Sequence, residues 1–421
     1  MTEKLLQYIW QFQYYNPSNL VTTQDEILSI IHPGIHNNNQ GPDFLNGKIK
    51  VGNTTWAGSI ELHVHSSEWK MHGHSADPNY DNVILHVVWK HDSPDTYFPF
   101  PTLQLEDRIS NVLLGRYEEL MQSGSFIPCE KHIGSVPLLT IQSWKERMLV
   151  ERLQQKTKMV EGLLKENKGH WEEVLWWMLA RNFGTKINGD VFEAIARSVP
   201  LNVLSRNKFQ LHTIEALLFG QSWMLDKKFT EAYPLMLQKE YRYLQKKYSL
   251  KKIHIPLFFL RMRPANFPTI RLAQLAMLIT LHQQLFSAIK DSENLSQVRV
   301  LLNVTANDYW HYHYMFDELS PFKTKNVGTQ MIDNILINTI IPVLFAYGHL
   351  AGHEPSKVKA LRWIEELSAE KNKITRGFEN LRIENNTAFD SQALLHMKKT
   401  YCDQKGCVEC AVGNKILKNV P

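Results

Sequence analysis

Two different periods of apolar and polar residues divide the chain. The opening stretch, MTEKLLQYIWQFQYYN, reads as an amphipathic helix. Beyond it, segments 26–31, 47–51, 55–65, 83–89 and 102–105 are short, β-branched or alternating, and separated by clusters of Gly, Asn, Asp and Pro, as strands are. From Ile109 the spacing becomes helical. Val112, Leu113, Tyr117 and Leu120 share one face, and similar patterns run through 149–164, 171–181 and 270–288. The switch predicts an α+β fold: a mixed β-sheet domain over residues 1–108, an all-helical domain over 109–400, and a short cysteine-bearing tail over 401–421.

Composition narrows the class. With 421 residues, 43% of them hydrophobic, the chain can bury a sizeable core, which excludes disorder and collagen-like repetition. The first helix lacks the apolar centre and small-residue cleavage site of a signal peptide. The most apolar stretch, 332–347, is interrupted by Asn334, Asn338 and Pro342 and is shorter than the roughly 20 residues of a membrane span, so a buried core helix is expected. The expectation is a cytoplasmic protein with no membrane partner.

The candidate chemistry is concentrated early. Eight of the 18 histidines fall in the first 100 residues, and six lie between His63 and His91. Along the strand ending SIELHVH, period-two alternation puts Glu61, His63 and His65 on one face and Ile60, Leu62 and Val64 on the other. The turn MHGHSADPNY can bring His72 and His74 back over the strand end, and His86 would sit on a following strand paired nearby in a meander. Imidazoles this close repel once protonated, so a metal or a carboxylate should hold them. Upstream, Gly41-Pro42-Asp43-Phe44 supplies a second carboxylate.

Pro-Asp, then a hairpin, then Glu-x-basic resembles the core of the PD-(D/E)xK nuclease superfamily, which implies a nuclease-like sheet domain. There two carboxylates hold a divalent metal and a Lys two positions after the second orients the attacking water. Asp43 and Glu61 match that motif, and His63 stands where the family has Lys. The resemblance implies Mg²⁺ or Mn²⁺ on Asp43 and Glu61, whereas the imidazoles suit a softer ion such as Zn²⁺, Mn²⁺ or Fe²⁺. A second resemblance, of Gly58-x4-His63-x-His65-x2-Glu68-x4-Gly73 to the first cupin motif, implies a His metalloenzyme in a β-barrel acting on a small molecule, although its spacers are short and no second motif follows. The alternative without chemistry places the histidines at strand ends, bonded to backbone and water. At full length, GPDF, GSIELH, YDNVILH, ALLFGQ, RPANFPTIRLAQLA and the CxxxxCxxC tail are similar to an uncharacterised bacterial family known only as a domain of unknown function.

Two further features bear on partners and cofactors. Residues 239–263 carry eight Lys or Arg against one acid, with tyrosines interleaved, so Lys246, Lys247, Lys251, Lys252, Arg261 and Arg263 are candidates for contact with DNA or RNA. The alternative is a solvated helix followed by a buried apolar segment. Arg263 and Arg271 could clamp a phosphate or carboxylate, or pair with acids between helices. In the tail, Cys402-x4-Cys407-x2-Cys410 can surround one ion or cluster, Zn²⁺ or Fe–S, with Cys129, His396 or His132 completing it. The expected function is a metal-dependent, nuclease-like protein acting on or binding nucleic acid. Its rivals are a non-catalytic nucleic-acid scaffold and the cupin-like enzyme.

Overall fold

The N-terminal sheet is built around one long hairpin. In the computed structural model, which describes residues 1–37, 39–94, 99–207, 209–260, 262–282 and 284–418, helix α1 (Glu3–Gln11) is capped by the Thr2 hydroxyl and buries Leu5, Leu6, Ile9 and Trp10. Strands β1 (Leu28–His32), β2 (Ile35–His36), β3 (Phe44–Val51) and β4 (Thr54–His65) follow. The pair β3 and β4 is antiparallel, with Val51 opposite Thr54, so Gly52 and Asn53 form the two-residue turn such hairpins favour. Strand β1 adds antiparallel to β3 on its other side, and α1 packs against β4.

Where a meander was expected after β4, the chain makes a crossover instead. Strand β5 (Val83–Lys90) runs parallel to β4, with Glu61 opposite His86, and β6 (Thr102–Gln104) runs parallel to β5. A parallel pair cannot be closed by a tight turn, and residues 66–82 supply the connection as the short helix α2 (Glu68–Met71) and two 3₁₀ turns, His74–Ala76 and Pro78–Tyr80. The histidine-rich stretch is therefore the crossover itself. The sheet path β1-β3-β4-β5-β6 is open, unlike the closed barrel that the cupin resemblance implies. Both faces of the central strands are covered: Val83 to Val88 are all buried, as are Gly58 to His63.

Past the sheet the chain is nearly all helical, starting with α3 (Asn111–Gln122) and α4 (Leu138–Glu166), so the fold class is α+β. It forms two compact units. The first holds residues 1–147, 373–383 and 394–421, so the sheet and the cysteine-bearing tail share one unit; the second holds 148–372 and 384–393. In the second, the helix foreseen over 270–288 is two helices, Pro268–Leu281 and Leu285–Asp291. The apolar stretch around residue 340 is longer than its interruptions suggest, a 22-residue helical run over Thr329–Leu350. Pro342 lacks an N–H and crowds the preceding turn, and a π-helical turn at Leu336–Ile340 sits just ahead of it. By length and hydropathy this run could span a bilayer, yet 78% of its apolar window is buried within the protein, as a core helix should be.

Candidate metal centre

The crossover brings side chains from three elements to one point beside β4. His63, from β4, and His72 and His74, from the turn after α2, each offer a ring nitrogen, and the three nitrogens all lie within 4.8 Å of one another. His72 and His74 flank Gly73, whose φ of +73° reverses the chain so that both neighbours can face the same point. Tyr80 stacks on His74 with ring centroids 3.9 Å apart, and Trp69, held by a hydrogen bond to the Ser75 hydroxyl, presents its face or edge to His63, His74 and His86.

Glu61 completes the group. Its Oε1 lies 3.7 Å from His63 Nε2 and 3.5 Å from His74 Nε2, while its Oε2 accepts a hydrogen bond of 2.9 Å from the Asp43 backbone N–H. Asp43 is itself fixed: Oδ1 accepts from Gln7 Nε2 at 2.8 Å and Oδ2 from the Leu62 N–H at 3.1 Å. The two carboxylates are thus tied across the hairpin, with Glu61 facing the imidazoles and Asp43 bracing it.

Protonation and hydrogen bonding leave the ligand atoms open. His63 Nδ1 and His86 Nε2 share a hydrogen bond of 2.8 Å, which fixes the orientation of His63 and leaves its Nε2 facing the cluster. His63 is 1% exposed, and both its Nε2 and the Nε2 of His74 are buried without a hydrogen-bond partner. Burial pushes the His63 and His86 pKa values down, and the neighbouring imidazoles push them further, so these rings are neutral. The carboxyls move the other way: burial raises Glu61 and Asp43, and each is raised further by a nearby acid, Asp43 for Glu61 and Glu3 for Asp43. Neutral imidazoles with orphaned nitrogens, beside carboxyls too buried to ionise comfortably alone, are what a bound cation would satisfy, since it takes neutral nitrogen and favours carboxylate. The donor set of nitrogen plus one carboxylate fits Zn²⁺, Mn²⁺ or Fe²⁺ better than Mg²⁺.

Of the candidates read from the sequence, Glu61, His63, His72, His74 and His86 are brought together, with Asp43 behind Glu61. His65 turns away to Glu68, with Nδ1 3.7 Å from Oε1, and its side chain is 45% exposed. Two participants escaped sequence reasoning, and a third, Glu68, enters it only as part of the cupin-like pattern. Gln7 and Glu3, one helical turn apart on α1, act on Asp43, and Glu3 also lies in the field of His72. Glu68 accepts from the N–H groups of Val64 and His65 and so ends β4. The i, i+4 polar pair on an otherwise apolar-faced helix was the available signal for the first two.

The cysteines also gather within the first unit. None forms a disulfide; Cys129, Cys407 and Cys410 are buried. Cys402 interacts electrostatically with the other three, and Cys129 with Cys407 and Cys410. Cys129 therefore stands beside the tail cysteines; His132 is hydrogen-bonded to Glu119 at 2.9 Å, and buried His396 lies near the Thr400 hydroxyl, its Nδ1 3.5 Å from Oγ1. In the basic run, Lys246, Lys247 and Lys251 are exposed on and just after helix Ala232–Tyr248, and Arg263 is exposed ahead of Pro264. Lys252 is committed to Asp226 and lies over the rings of Trp223 and Tyr241. Arg261 lies outside the described residues. The apolar stretch that follows is not buried as the alternative reading has it: Ile255, Phe258 and Leu260 are exposed.

The model of a family described as "Protein of unknown function (DUF2851)" matches residues 3–373, a span that contains the histidine cluster and stops short of Cys402. No curated protein and no solved structure matches the chain.

Proposed function

The chain belongs to the DUF2851 family, whose function is unknown, and from that premise we propose that it is a metal-dependent phosphodiesterase of nuclease-like type, with the metal held by His63, His72, His74 and Glu61. The observation that carries the reading is the meeting of three imidazole nitrogens, two of which, on His63 and His74, are buried, without a hydrogen-bond partner and within 3.7 Å of Glu61 Oε1, while His72 closes the group from the exposed side. Support for phosphodiester chemistry comes from the hairpin: Pro42-Asp43 enters β3 and Glu61-x-His63 lies on β4, with the two carboxylates tied by the Asp43 N–H. A metal here would lower the pKa of a bound water and offset charge on a phosphodiester oxygen. The protein's part is orientation. His86 fixes the His63 ring, Asp43 aims Glu61, and Tyr80 and Trp69 exclude water from one side of His74.

DNA or RNA is the proposed substrate class, with Lys246, Lys247, Lys251 and Arg263 as phosphate contacts and Lys252 contributing less because Asp226 already pairs with it. We also assign a metal centre to Cys129, Cys402, Cys407 and Cys410. The group whose donor atoms all approach within 4.8 Å is histidine, and the sulfurs form no such group among the described residues. Four such thiols would suit either one tetrahedral Zn²⁺ or an Fe–S cluster.

The test is cleavage of labelled DNA and RNA by the purified protein with Mn²⁺, Zn²⁺ or Mg²⁺ added. Metal-dependent cleavage lost in His63→Ala and Glu61→Ala supports the assignment, and cleavage that survives both removes these residues from the mechanism. Binding without cleavage in every metal would make the protein a scaffold. No binding to either nucleic acid at low salt would sink the substrate class.

A further inference from the structure

The second compact unit contains a cation that is buried with no anion beside it among the described residues. Arg271, on the helix Pro268–Leu281, is 8% exposed. Its Nη1 donates to Gln274 Oε1 at 2.9 Å and its Nη2 to Asn266 Oδ1, both neutral amides. Its Nε has no hydrogen-bond partner, and the pairing with an acid between helices that the sequence allowed is not made. Burial alone pushes its pKa down, to about 10, with no carboxylate opposing. Unpaired buried charge is among the costliest features a fold can keep, and an apolar side chain at this position would avoid it.

Arg271 lines a cleft of about 700 Å³. Lys186 adds positive charge there, while Arg181 is neutralised by Asp190 and Glu193. Asn182 lines the same cleft, and its Oδ1 is a buried acceptor without a partner, although its Nδ2 donates to Thr339 Oγ1. Two irregularities of backbone border it. The π-helical turn Leu336–Ile340 contributes Asn338 and Thr339 to the lining, and Thr185 has φ of +57°, a conformation that a β-branched residue adopts only when its surroundings impose it.

A buried cation with an unpartnered donor, and an unpartnered buried acceptor, both on residues lining the same cleft, call for a ligand that brings an oxyanion together with an O–H or N–H donor. We propose that this cleft binds a small phosphate ester bearing hydroxyl groups, its phosphate set against Arg271 Nε and the Lys186 side and a hydroxyl donating to Asn182 Oδ1. This site is made from residues of the second unit alone and stands independently of the metal centre.

The probes are ribose 5-phosphate and adenosine monophosphate, titrated calorimetrically into the full chain in the presence of EDTA, with ribose and adenosine as uncharged controls. Saturable binding of a phosphate-bearing probe is expected, weakened about tenfold or more in Arg271→Met, as loss of a charge-assisted contact implies, and several-fold in Lys186→Glu. Arg271→Met should fold with an undiminished thermal midpoint because it removes an unpaired buried charge. Should it fail to fold, Lys186→Glu, at an exposed position, still decides the matter. The proposal is overturned if neither probe binds at millimolar concentration, if the uncharged controls bind equally well, or if binding is indifferent to Lys186→Glu.

Discussion

His63 carries two different jobs on one ring. Its Nδ1 is spent on His86 and its Nε2 is left for the cluster, so the residue behind it sets how well it can act. Partners of this kind commonly change metal affinity by about 10–100-fold, and His86→Phe should therefore weaken metal retention by that order without abolishing it, as read by competition with a chromogenic chelator. An effect as large as that of His63→Ala would place His86 among the ligands instead. A second buried carboxylate, Glu215, shows what the same chemistry looks like when it is only structural. Fully buried, it accepts from Tyr233 Oη at 2.6 Å and Asn307 Nδ2 at 2.7 Å, with His212 Nδ1 3.5 Å away. Hydrogen bonding to Glu215 raises the His212 pKa above its ordinary value, outweighing partial burial. Folded His212 thus holds its proton more tightly than unfolded His212. The stabilisation is full below about pH 6.5, the unfolded value, and is lost as pH rises through the folded one. Urea unfolding should show His212→Gln costing more at pH 5.5 than at pH 8.5; an equal cost at both would contradict the assignment.

At the scale of elements, the site exists because two strands run parallel. Period-two alternation made the row Glu61, His63 and His65 legible, and the hairpin register, with Phe44 opposite Ile60, explains why Asp43 reaches Glu61. Strand direction was not legible, because alternation is the same for a parallel or an antiparallel neighbour. The segment after His65 therefore read as a turn when it is a crossover. The fate of His65 was hidden for a related reason: Glu68 caps the end of β4 and claims it, a local contact that sequence spacing permits but does not require. Gly58 makes the close pairing of β4 and β5 possible. A Cβ there would sit 2.5 Å from the Asn82 carbonyl oxygen and 2.6 Å from Ile84 Cγ2, and the first of these is backbone that cannot step aside cheaply. Gly58→Ala should cost about 1–3 kcal/mol in urea or thermal unfolding, by forcing the strands apart just ahead of Glu61. An unchanged midpoint would mean that the two strands are not held in this register.

For the whole molecule, the four cysteines join residues far apart in sequence within one unit, Cys129 on one side and the tail on the other. If they hold a metal or cluster, its removal releases the tail. Cys407→Ser should lower the thermal midpoint by about 5 °C or more and open the tail to limited proteolysis. Unchanged stability and protease resistance would leave the four as buried thiols. The α+β division and the clustering of chemistry in the first hundred residues were readable from composition and period. That residues 394–421 join the sheet's unit was not, since no local pattern encodes a contact across almost three hundred residues. The central claim is that His63, His72, His74 and Glu61 form a metal centre distinct from the cysteines, and metal content by plasma mass spectrometry tests it most directly. The wild type, a His63→Ala/His74→Ala double variant and Cys402→Ser would be purified without chelators and compared. The account predicts a stoichiometric first-row transition metal that the histidine variant lacks and the cysteine variant retains. Metal unchanged in the histidine variant, with all of it lost in Cys402→Ser, would contradict the account.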